Sequence, residues 1–185
     1  MAICPIPELK FNKEEIAKYV PPMDSDKWSL TYGTKSVQIH SFKSTDIPPI
    51  LDVLQQFKNP RDYISHIEFF KTPADCELPA HTDRNRKAAI NIPIIGNFDS
   101  SALNLFNTPD VPVNDVFGAT GFGGNAIKVA SVTFYTAVIL DTAYPHGVIN
   151  STDEDRVIVS ISLKPHVTYE DMYRLYRSGN LFKNR

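Results

Sequence analysis

The sequence has few cysteines, no excess of charge and no long hydrophobic run. Two cysteines, Cys4 and Cys76, among 185 residues form no disulfide framework and fit a reducing compartment. A formal net charge of −2 offers no broad basic surface, so nucleic acid is not an expected partner. No stretch approaches the roughly 18 consecutive apolar residues of a membrane span. The N-terminus lacks the pattern of a signal peptide. We therefore expect a soluble, cytoplasmic protein without a membrane partner.

The composition is that of a folded protein of moderate size. Hydrophobic residues make up 42% of the chain and charged residues 22%, a balance typical of globular domains. A length of 185 residues is enough for one complete core and short for two ordinary domains. No linker or internal repeat divides the sequence, so we expect one domain over residues 1–185.

Short strands outnumber helices in the sequence pattern. Capping and proline signals predict three helices, which begin at Asn12, near Asp46 and at Thr168. The segments rich in Val, Ile, Phe, Tyr and Thr are Ser36–Ser41, Tyr63–Lys71, Ala88–Ile94, Ala102–Phe106, Ser131–Leu140 and Val157–Leu163. Because few helices separate these strands, the pattern favours an antiparallel sandwich or barrel with helices packed on one sheet.

One segment is rich in glycine. Residues Gly118–Asn125, GATGFGGN, hold four of the eight glycines of the chain. No Lys-Ser/Thr pair follows them, so the segment is not a phosphate-binding P-loop. We interpret it as a mobile loop, and whether it acts as a lid over a site stays open.

Three side chains have the composition of a metal site. His81 and Asp83 stand two residues apart in LPAHTD, and side chains at that spacing project from one face of an extended chain. His146 is the best third ligand. Two histidines and one carboxylate on one face of an octahedron leave three positions open, as in non-haem Fe(II) oxygenases. The alternative is a surface loop in which Asp83 pairs with Arg84 or Arg86.

An arginine follows the second histidine. The turn NSTDED after Gly147-Val-Ile predicts that His146 and Arg156 lie on neighbouring antiparallel strands. Arg156, Ile158 and Ser160 then share one face of their strand. An inward arginine is costly to bury without an anion. A dicarboxylate co-substrate would provide one, with its 2-oxo acid end on the metal, its far carboxylate on the guanidinium of Arg156 and the Ser160 hydroxyl beside it.

Other polar residues are weaker candidates. Asn91 and Tyr135 are expected on strands that flank the site, where they could bind the co-substrate, and core positions are an equal alternative. Arg84, Arg86 and Lys87 are expected to form a solvated loop, although one arginine could face an anionic substrate.

Together these motifs resemble the Fe(II)/2-oxoglutarate dioxygenase superfamily. The resemblance rests on His81-x-Asp83, the distal His146, and Arg156 ten residues beyond it. The phrase HTDRNRKAAINIPI, which begins at His81, is similar to the compact aspartyl/asparaginyl β-hydroxylase-like and prolyl hydroxylase-like branches. The similarity covers about residues 64–164 and implies a mainly β fold, the double-stranded β-helix of jelly-roll or cupin type, with a few flanking helices. The aspartyl/asparaginyl β-hydroxylase itself lacks the acidic ligand, whereas Asp83 is present here.

The resemblance also implies an activity. In that superfamily Fe(II), 2-oxoglutarate and O₂ together hydroxylate an unactivated C–H bond, with release of succinate and CO₂. The expected substrate is a Pro, Asn or Asp side chain of a protein or peptide, and a free amino acid or small metabolite is the alternative. Two interpretations of other classes stay open: a Zn or Mn cupin-type enzyme with the same three ligands, and a non-catalytic jelly-roll binding or structural module.

Overall fold

Two antiparallel sheets and four short α-helices are seen in the computed structural model, which describes residues 2–30, 37–108, 114–116, 119–122 and 126–183. The strands are β1 (Ile3–Pro5), β2 (Ser29–Leu30), β3 (Gln38–Ser41), β4 (Ile64–Thr72), β5 (Cys76–Asp83), β6 (Ala88–Ile95), β7 (Ser101–Asn107), β8 (Asn114–Val116), β9 (Ala119–Gly121), β10 (Ile127–Val132), β11 (Val138–Asp141), β12 (His146–Asn150) and β13 (Arg156–Leu163). The helices are α1 (Lys13–Ala17), α2 (Pro48–Gln55), α3 (Pro60–Tyr63) and α4 (Tyr169–Arg177), with a 3₁₀ turn at Ser44–Asp46. Over the described residues, no helix has the length and apolar character needed to cross a membrane.

The two sheets face each other as a jelly roll. One sheet has seven strands in the order β1-β11-β6-β13-β4-β3-β2, and the other has six in the order β10-β7-β12-β5-β9-β8. Between them lies an apolar cluster that joins Leu103 of the six-stranded sheet to Val138 and Ile158 of the seven-stranded one. The predicted double-stranded β-helix is confirmed.

The helices cover the outer face of the seven-stranded sheet. Alternate residues of β13, namely Val157, Val159, Ile161 and Leu163, belong to the large core together with Ile16 of α1, Ile50 of α2 and Met172 of α4. Asn12 caps α1 by accepting from the Glu15 amide, and Thr168 and Asp171 form the capping box of α4. The prediction that helices from both ends of the chain pack on one sheet is confirmed; the short α3 was not anticipated.

The inner face of the same sheet is polar. The β13 side chains that alternate with the core residues are Arg156, Ile158, Ser160 and Ser162, and all four are buried. Inner faces of two packed sheets normally interdigitate to form an apolar core. Polar side chains at these positions therefore mark the space between the sheets as the place to look for a site.

One predicted strand is wrong. The segment Ser131–Leu140 is divided between β10, which ends at Val132 in the six-stranded sheet, and β11, which begins at Val138 in the seven-stranded sheet. The strand-like composition continues through residues 133–137, but there the chain passes from one sheet to the other. One continuous strand cannot pair within both sheets, so it is interrupted at these residues.

Three of the four described residues of the glycine-rich segment form a strand. Residues Ala119–Gly121 form β9, which pairs with His81–Asp83 of β5, so the interpretation of this part as a loop is wrong. Residues 118 and 123–125 of the segment lie outside the described residues.

The predicted pairing of the strands of His146 and Arg156 is also wrong. Strand β12 pairs with β5 and β7, whereas β13 pairs with β4 and β6 in the opposite sheet. The turn between them is a crossing from sheet to sheet, fixed by the buried Asn150. Its Nδ2 donates to the carbonyls of Thr72 (3.2 Å), Pro73 (3.0 Å) and Glu154 (2.8 Å). These bonds bend the chain away from a simple hairpin.

We predict that Asn150→Ala lowers the free energy of unfolding by about 1–3 kcal/mol, because buried carbonyls lose their donor. Urea unfolding followed by circular dichroism measures this change. The control is Asn107→Ala, which truncates an exposed asparagine at the end of β7 and should have little effect. Equal losses in the two variants would contradict the assigned role of Asn150.

Candidate metal centre

The structure brings His81, Asp83 and His146 together. His81 and Asp83 lie at the end of β5, and His146 begins the neighbouring β12, directly opposite His81 in the register. The two imidazole centroids are 4.4 Å apart, and one ligand atom from each of the three residues lies within 4.8 Å of the others. Nε2 of His81 is 3.7 Å from Oδ1 of Asp83. The three side chains therefore converge well enough for a single ion to be bound by all of them.

Backbone carbonyls orient both imidazole rings. Nδ1 of His81 lies 2.9 Å from the carbonyl oxygen of Pro79, and Nδ1 of His146 lies 2.9 Å from that of Tyr144. A carbonyl only accepts, so each Nδ1 must carry the proton and the lone pair of each ring is on Nε2. This carbonyl contact to the second ring nitrogen is typical of histidines that bind metals.

The protonation states of the three side chains also suit a cation. Burial lowers the pKa of His81, and burial together with the nearby His81 lowers the pKa of His146 to about 4. Burial alone would raise the pKa of Asp83, but the Arg86 guanidinium and the two imidazoles hold it below its ordinary value. Near neutral pH the site therefore has two neutral imidazoles and one carboxylate, which is the form that ligates a metal.

Arg86 is part of the site, and its expected place in a solvated loop is wrong. Only 12% of its side chain is exposed, and its Nε donates to Oδ2 of Asp83 at 2.6 Å. The guanidinium also lies over the ring of Phe70, 5.2 Å from its centroid. The pairing of Asp83 with Arg86 considered from the sequence does occur, but between the two sheets rather than on the surface. Arg84 and Lys87 are exposed, as expected.

A glycine is required directly after His146. A Cβ on Gly147 would lie 2.6 Å from the carbonyl oxygen of Leu78 in β5, closer than real Cβ contacts occur. The ladder between β12 and β5 shifts register at this point. The glycine thus lets the two histidine-bearing strands approach closely where His146 enters the site.

Arg156 is buried, and among the described residues it has no anionic partner. Its residue is 3% exposed, and its guanidinium carbon lies 5.0 Å from the ring centroid of Phe98 and 5.5 Å from that of Phe134. Over the described part of the chain its Nε has no hydrogen-bond partner. Burial lowers the pKa of Arg156 to about 10, so the side chain stays charged near neutral pH. Gly96 has φ +109°, and a Cβ there would lie 3.0 Å from the Arg156 Cα, so a glycine lets the chain pass close to the start of β13.

The remaining predicted residues fall into different environments. Ser160 is buried, and its hydroxyl accepts from Arg86 at 2.9 Å. Asn91 is 6% exposed and lies opposite Ser160 in the ladder, and its Oδ1 has no hydrogen-bond partner within the described ranges. Tyr135 was expected on a strand, but it lies in the break between β10 and β11 and is 59% exposed. Binding of a co-substrate by these three residues stays a prediction.

Two observations show that the residues present fit a metal and an anion. The metal ligands would be two imidazole nitrogens and one carboxylate oxygen, a set that suits Fe(II), Mn or Zn. Nε of Arg156 and Oδ1 of Asn91 are buried on the inner face of the seven-stranded sheet, and neither has a hydrogen-bond partner in the part of the chain that the structure describes. Sequence reasoning missed Arg86, whose basic neighbours Arg84 and Lys87 gave it the appearance of a surface cluster.

Comparison with known proteins supports the fold. No family model matches the sequence, and no curated protein matches it. Among solved structures, the epimerase SnoN in complex with Fe³⁺, alpha ketoglutarate and nogalamycin RO is similar, with a TM-score of 0.58 and 12% identity over 88% of this chain and 78% of SnoN. HygX from Streptomyces hygroscopicus, with nickel and 2-oxoglutarate bound, has a TM-score of 0.54 and 11% identity, over 89% of this chain and 83% of its own. The chain spans only 32% of oxalate decarboxylase from Lactobacillus farciminis, at a TM-score of 0.40 and 11% identity. At such identities, the similarity to SnoN and HygX shows the fold alone.

The neutral state of His146 predicts a pH dependence of stability. Its pKa is about 4 in the folded protein against 6.5 in solvent, so the unfolded chain binds the extra proton between these values. The contribution of neutral His146 to the free energy of unfolding is therefore fully present well above pH 6.5, and it is lost as the pH falls towards 4. From pH 6.5 to pH 5 this residue should account for about 2 kcal/mol.

Urea unfolding of the metal-free protein at about pH 7.5 and about pH 5 would measure this loss. His146→Gln keeps a polar side chain but does not titrate in this range, so its loss should be smaller. The same loss in both proteins would show that His146 is not the source.

Proposed function

We propose that this protein is an Fe(II)- and 2-oxoglutarate-dependent oxygenase. The observation that carries the proposal is the buried Arg156, which lies on the inner face of a sheet that faces the cluster of His81, Asp83 and His146. It contacts two phenylalanine rings, and no anionic side chain within the described ranges pairs with it. A dicarboxylate that binds a metal at one end and a guanidinium at the other would satisfy both halves of this arrangement.

The metal would be held by Nε2 of His81, Nε2 of His146 and a carboxylate oxygen of Asp83. Bound iron would supply the coupled oxidation of 2-oxoglutarate to succinate and CO₂ and of a substrate C–H bond by O₂. The protein orients the metal ligands and excludes water. The carbonyls of Pro79 and Tyr144 orient the ligands, and the burial of the side chains keeps bulk water away from the centre.

The energetics of Arg156 favour an anionic ligand over a purely structural role. The effective desolvation penalty of a buried ion is several kcal/mol, whereas a cation–π contact at a desolvated site returns about 2 kcal/mol. Contacts with Phe98 and Phe134 therefore compensate the buried charge only in part. A carboxylate can take two parallel N–H bonds from the guanidinium, which is the geometry that arginine recognises best.

Arg156 also separates this proposal from a Zn or Mn enzyme with the same ligands. A hydrolytic site needs no buried guanidinium, whereas a 2-oxoglutarate site needs a cation for the far carboxylate. The structural similarity to SnoN and HygX is consistent with the proposal, because those two proteins bind alpha ketoglutarate or 2-oxoglutarate.

We propose hydroxylation of a Pro, Asn or Asp side chain in a protein or peptide as the first reaction to test. The support is the similarity of the phrase that begins at His81 to branches that act on such side chains. A free amino acid or small metabolite is the second choice. SnoN is an epimerase, so a similar fold can also carry out a reaction other than the hydroxylation proposed here.

We predict that Arg156→Gln raises the dissociation constant for 2-oxoglutarate by on the order of 100-fold, because the co-substrate carboxylate is left buried without its partner. Anaerobic titration of the Fe(II)-loaded protein with 2-oxoglutarate measures this constant. A visible charge-transfer band should appear in the unmodified protein at low co-substrate concentration and in the variant only at much higher concentration.

Arg61→Gln is the matched control, because Arg61 is exposed and should leave the titration unchanged. Fe(II) binding without co-substrate should be the same in all three proteins. If the unmodified protein binds Fe(II) but shows no band, or if Arg156→Gln behaves like the control, the proposed function is wrong.

Succinate release tests the substrate. The iron-loaded protein would be incubated with 2-oxoglutarate, O₂ and a panel of peptides and free amino acids. Peptides containing Pro, Asn or Asp should stimulate succinate release above the uncoupled background. A flat response to every peptide, together with turnover of a free amino acid, would overturn the first choice.

A further inference from the structure

Arg86 joins the two sheets across the metal centre. Its Nε binds Oδ2 of Asp83 on the six-stranded sheet at 2.6 Å. On the seven-stranded sheet, its terminal nitrogen donates to the hydroxyls of Ser160 at 2.9 Å and Ser162 at 2.7 Å. One guanidinium therefore contacts a candidate metal ligand and the strand that carries Arg156.

Hydrogen bonds also fix the backbone at Arg86. Its carbonyl oxygen accepts from the buried Thr142 hydroxyl at 2.9 Å, and the Thr142 amide binds the carbonyl of Lys87 at 3.1 Å. The carbonyl of Thr142 in turn accepts from the Asp83 amide at 2.9 Å. Three residues after Asp83, the chain is thus fixed to the segment that leads into His146.

These contacts orient the carboxylate of Asp83. Arg86 engages Oδ2, while Oδ1 lies 3.7 Å from the Nε2 of His81, on the side where the histidine lone pairs converge. A carboxylate held by one oxygen in this way presents the other to a metal. A freely rotating carboxylate could take two positions on the ion with both oxygens, and fewer positions would then be open for a co-substrate and O₂.

We propose that Arg86 is a positioning residue, which restricts Asp83 to ligation through one oxygen and fixes the metal centre relative to the strand of Arg156. The proposal rests on the metal site of the proposed function. It assigns no contact between Arg86 and the substrate. The arrangement requires an arginine, because only the planar fork reaches a carboxylate on one side and two hydroxyls on the other.

Two effects of Arg86 on metal affinity have opposite signs, and this makes the proposal testable. Its positive charge opposes the binding of a cation, so a variant without that charge would bind metal more tightly if charge alone mattered. Its orientation of Asp83 favours binding, and the loss of such an outer contact typically weakens metal binding by about 10- to 100-fold. We expect orientation to dominate, since the guanidinium touches the ligand directly.

The experiment is an anaerobic titration with Co(II), which needs no turnover. Binding is followed by calorimetry and by the visible absorption of the ion. We expect Arg86→Gln to bind Co(II) about 10- to 100-fold more weakly than the unmodified protein, with a changed absorption envelope. Arg86→Lys keeps the charge but loses the fork, so its affinity should also fall. Arg84→Gln, which alters an exposed neighbouring arginine, should bind as the unmodified protein does.

A double variant separates positioning from folding. Ser160→Ala with Ser162→Ala leaves the contact of Arg86 with Asp83 but removes its anchor on β13, and it should show a smaller loss of Co(II) affinity. Thermal unfolding of each metal-free variant reports stability independently. A purely structural role would lower the melting temperature and leave the affinity of the folded protein unchanged, and that result would overturn the proposal.

Two other outcomes are equally decisive. Tighter Co(II) binding by Arg86→Gln, with unchanged binding by Arg86→Lys, would show that only charge matters. Failure of the unmodified protein to bind Co(II), or binding that survives His146→Gln unchanged, would refute the metal centre itself, and with it the proposed function. Loss of affinity in the Arg86 variants alone supports the positioning role without bearing on which co-substrate is used.

Discussion

Burying a charged side chain costs free energy unless a partner compensates the charge, and this constraint determines which side chains meet between the two sheets. Asp83 and Arg86 meet this constraint as a pair, since the guanidinium contacts the carboxylate and two serine hydroxyls complete its bonding. Arg156 meets it only partly, through the faces of two phenylalanine rings. Among the described residues, the space between the sheets thus contains the pair of Asp83 and Arg86, and Arg156, which has ring contacts but no anionic partner there. Because burying a charge without a counter-charge costs free energy, an anion at this position would stabilise the protein, as the proposed function requires.

This polar interior explains why the helices lie where they do. In a simple sandwich the apolar core is between the sheets, but here the inner face of β13 carries Arg156, Ser160 and Ser162. The main apolar core is displaced to the outer face of the seven-stranded sheet, where the terminal helices cover it. Between the sheets, the apolar residues form only the small cluster around Ile158. The helices therefore provide the stability that lets the sheets enclose a site.

Sequence alone was sufficient for the fold class and for the convergence of His81, Asp83 and His146, because period-two spacing and the resemblance both point there. It failed where the chain changes sheet. Residues 133–137 and the turn after Asn150 have a composition that continues a strand or makes a hairpin, and only tertiary contacts such as the bonds from the Asn150 amide decide otherwise. Arg86 was missed for a related reason. An arginine among exposed basic residues has no local signal that its own side chain turns inward to a partner 74 residues away.

The two carbonyl contacts to the histidine rings have a consequence for the uptake of a metal. In many sites a ligand must give up a proton before it can coordinate, so that loading competes with acid and releases buffer-titratable protons. Here burial has already removed the protons from both Nε2 atoms, and the carbonyls of Pro79 and Tyr144 hold the remaining proton of each ring on the far side. Near neutral pH, binding of an ion at this candidate site would exchange the ion's hydration shell for protein ligands without a prior ionisation of either histidine.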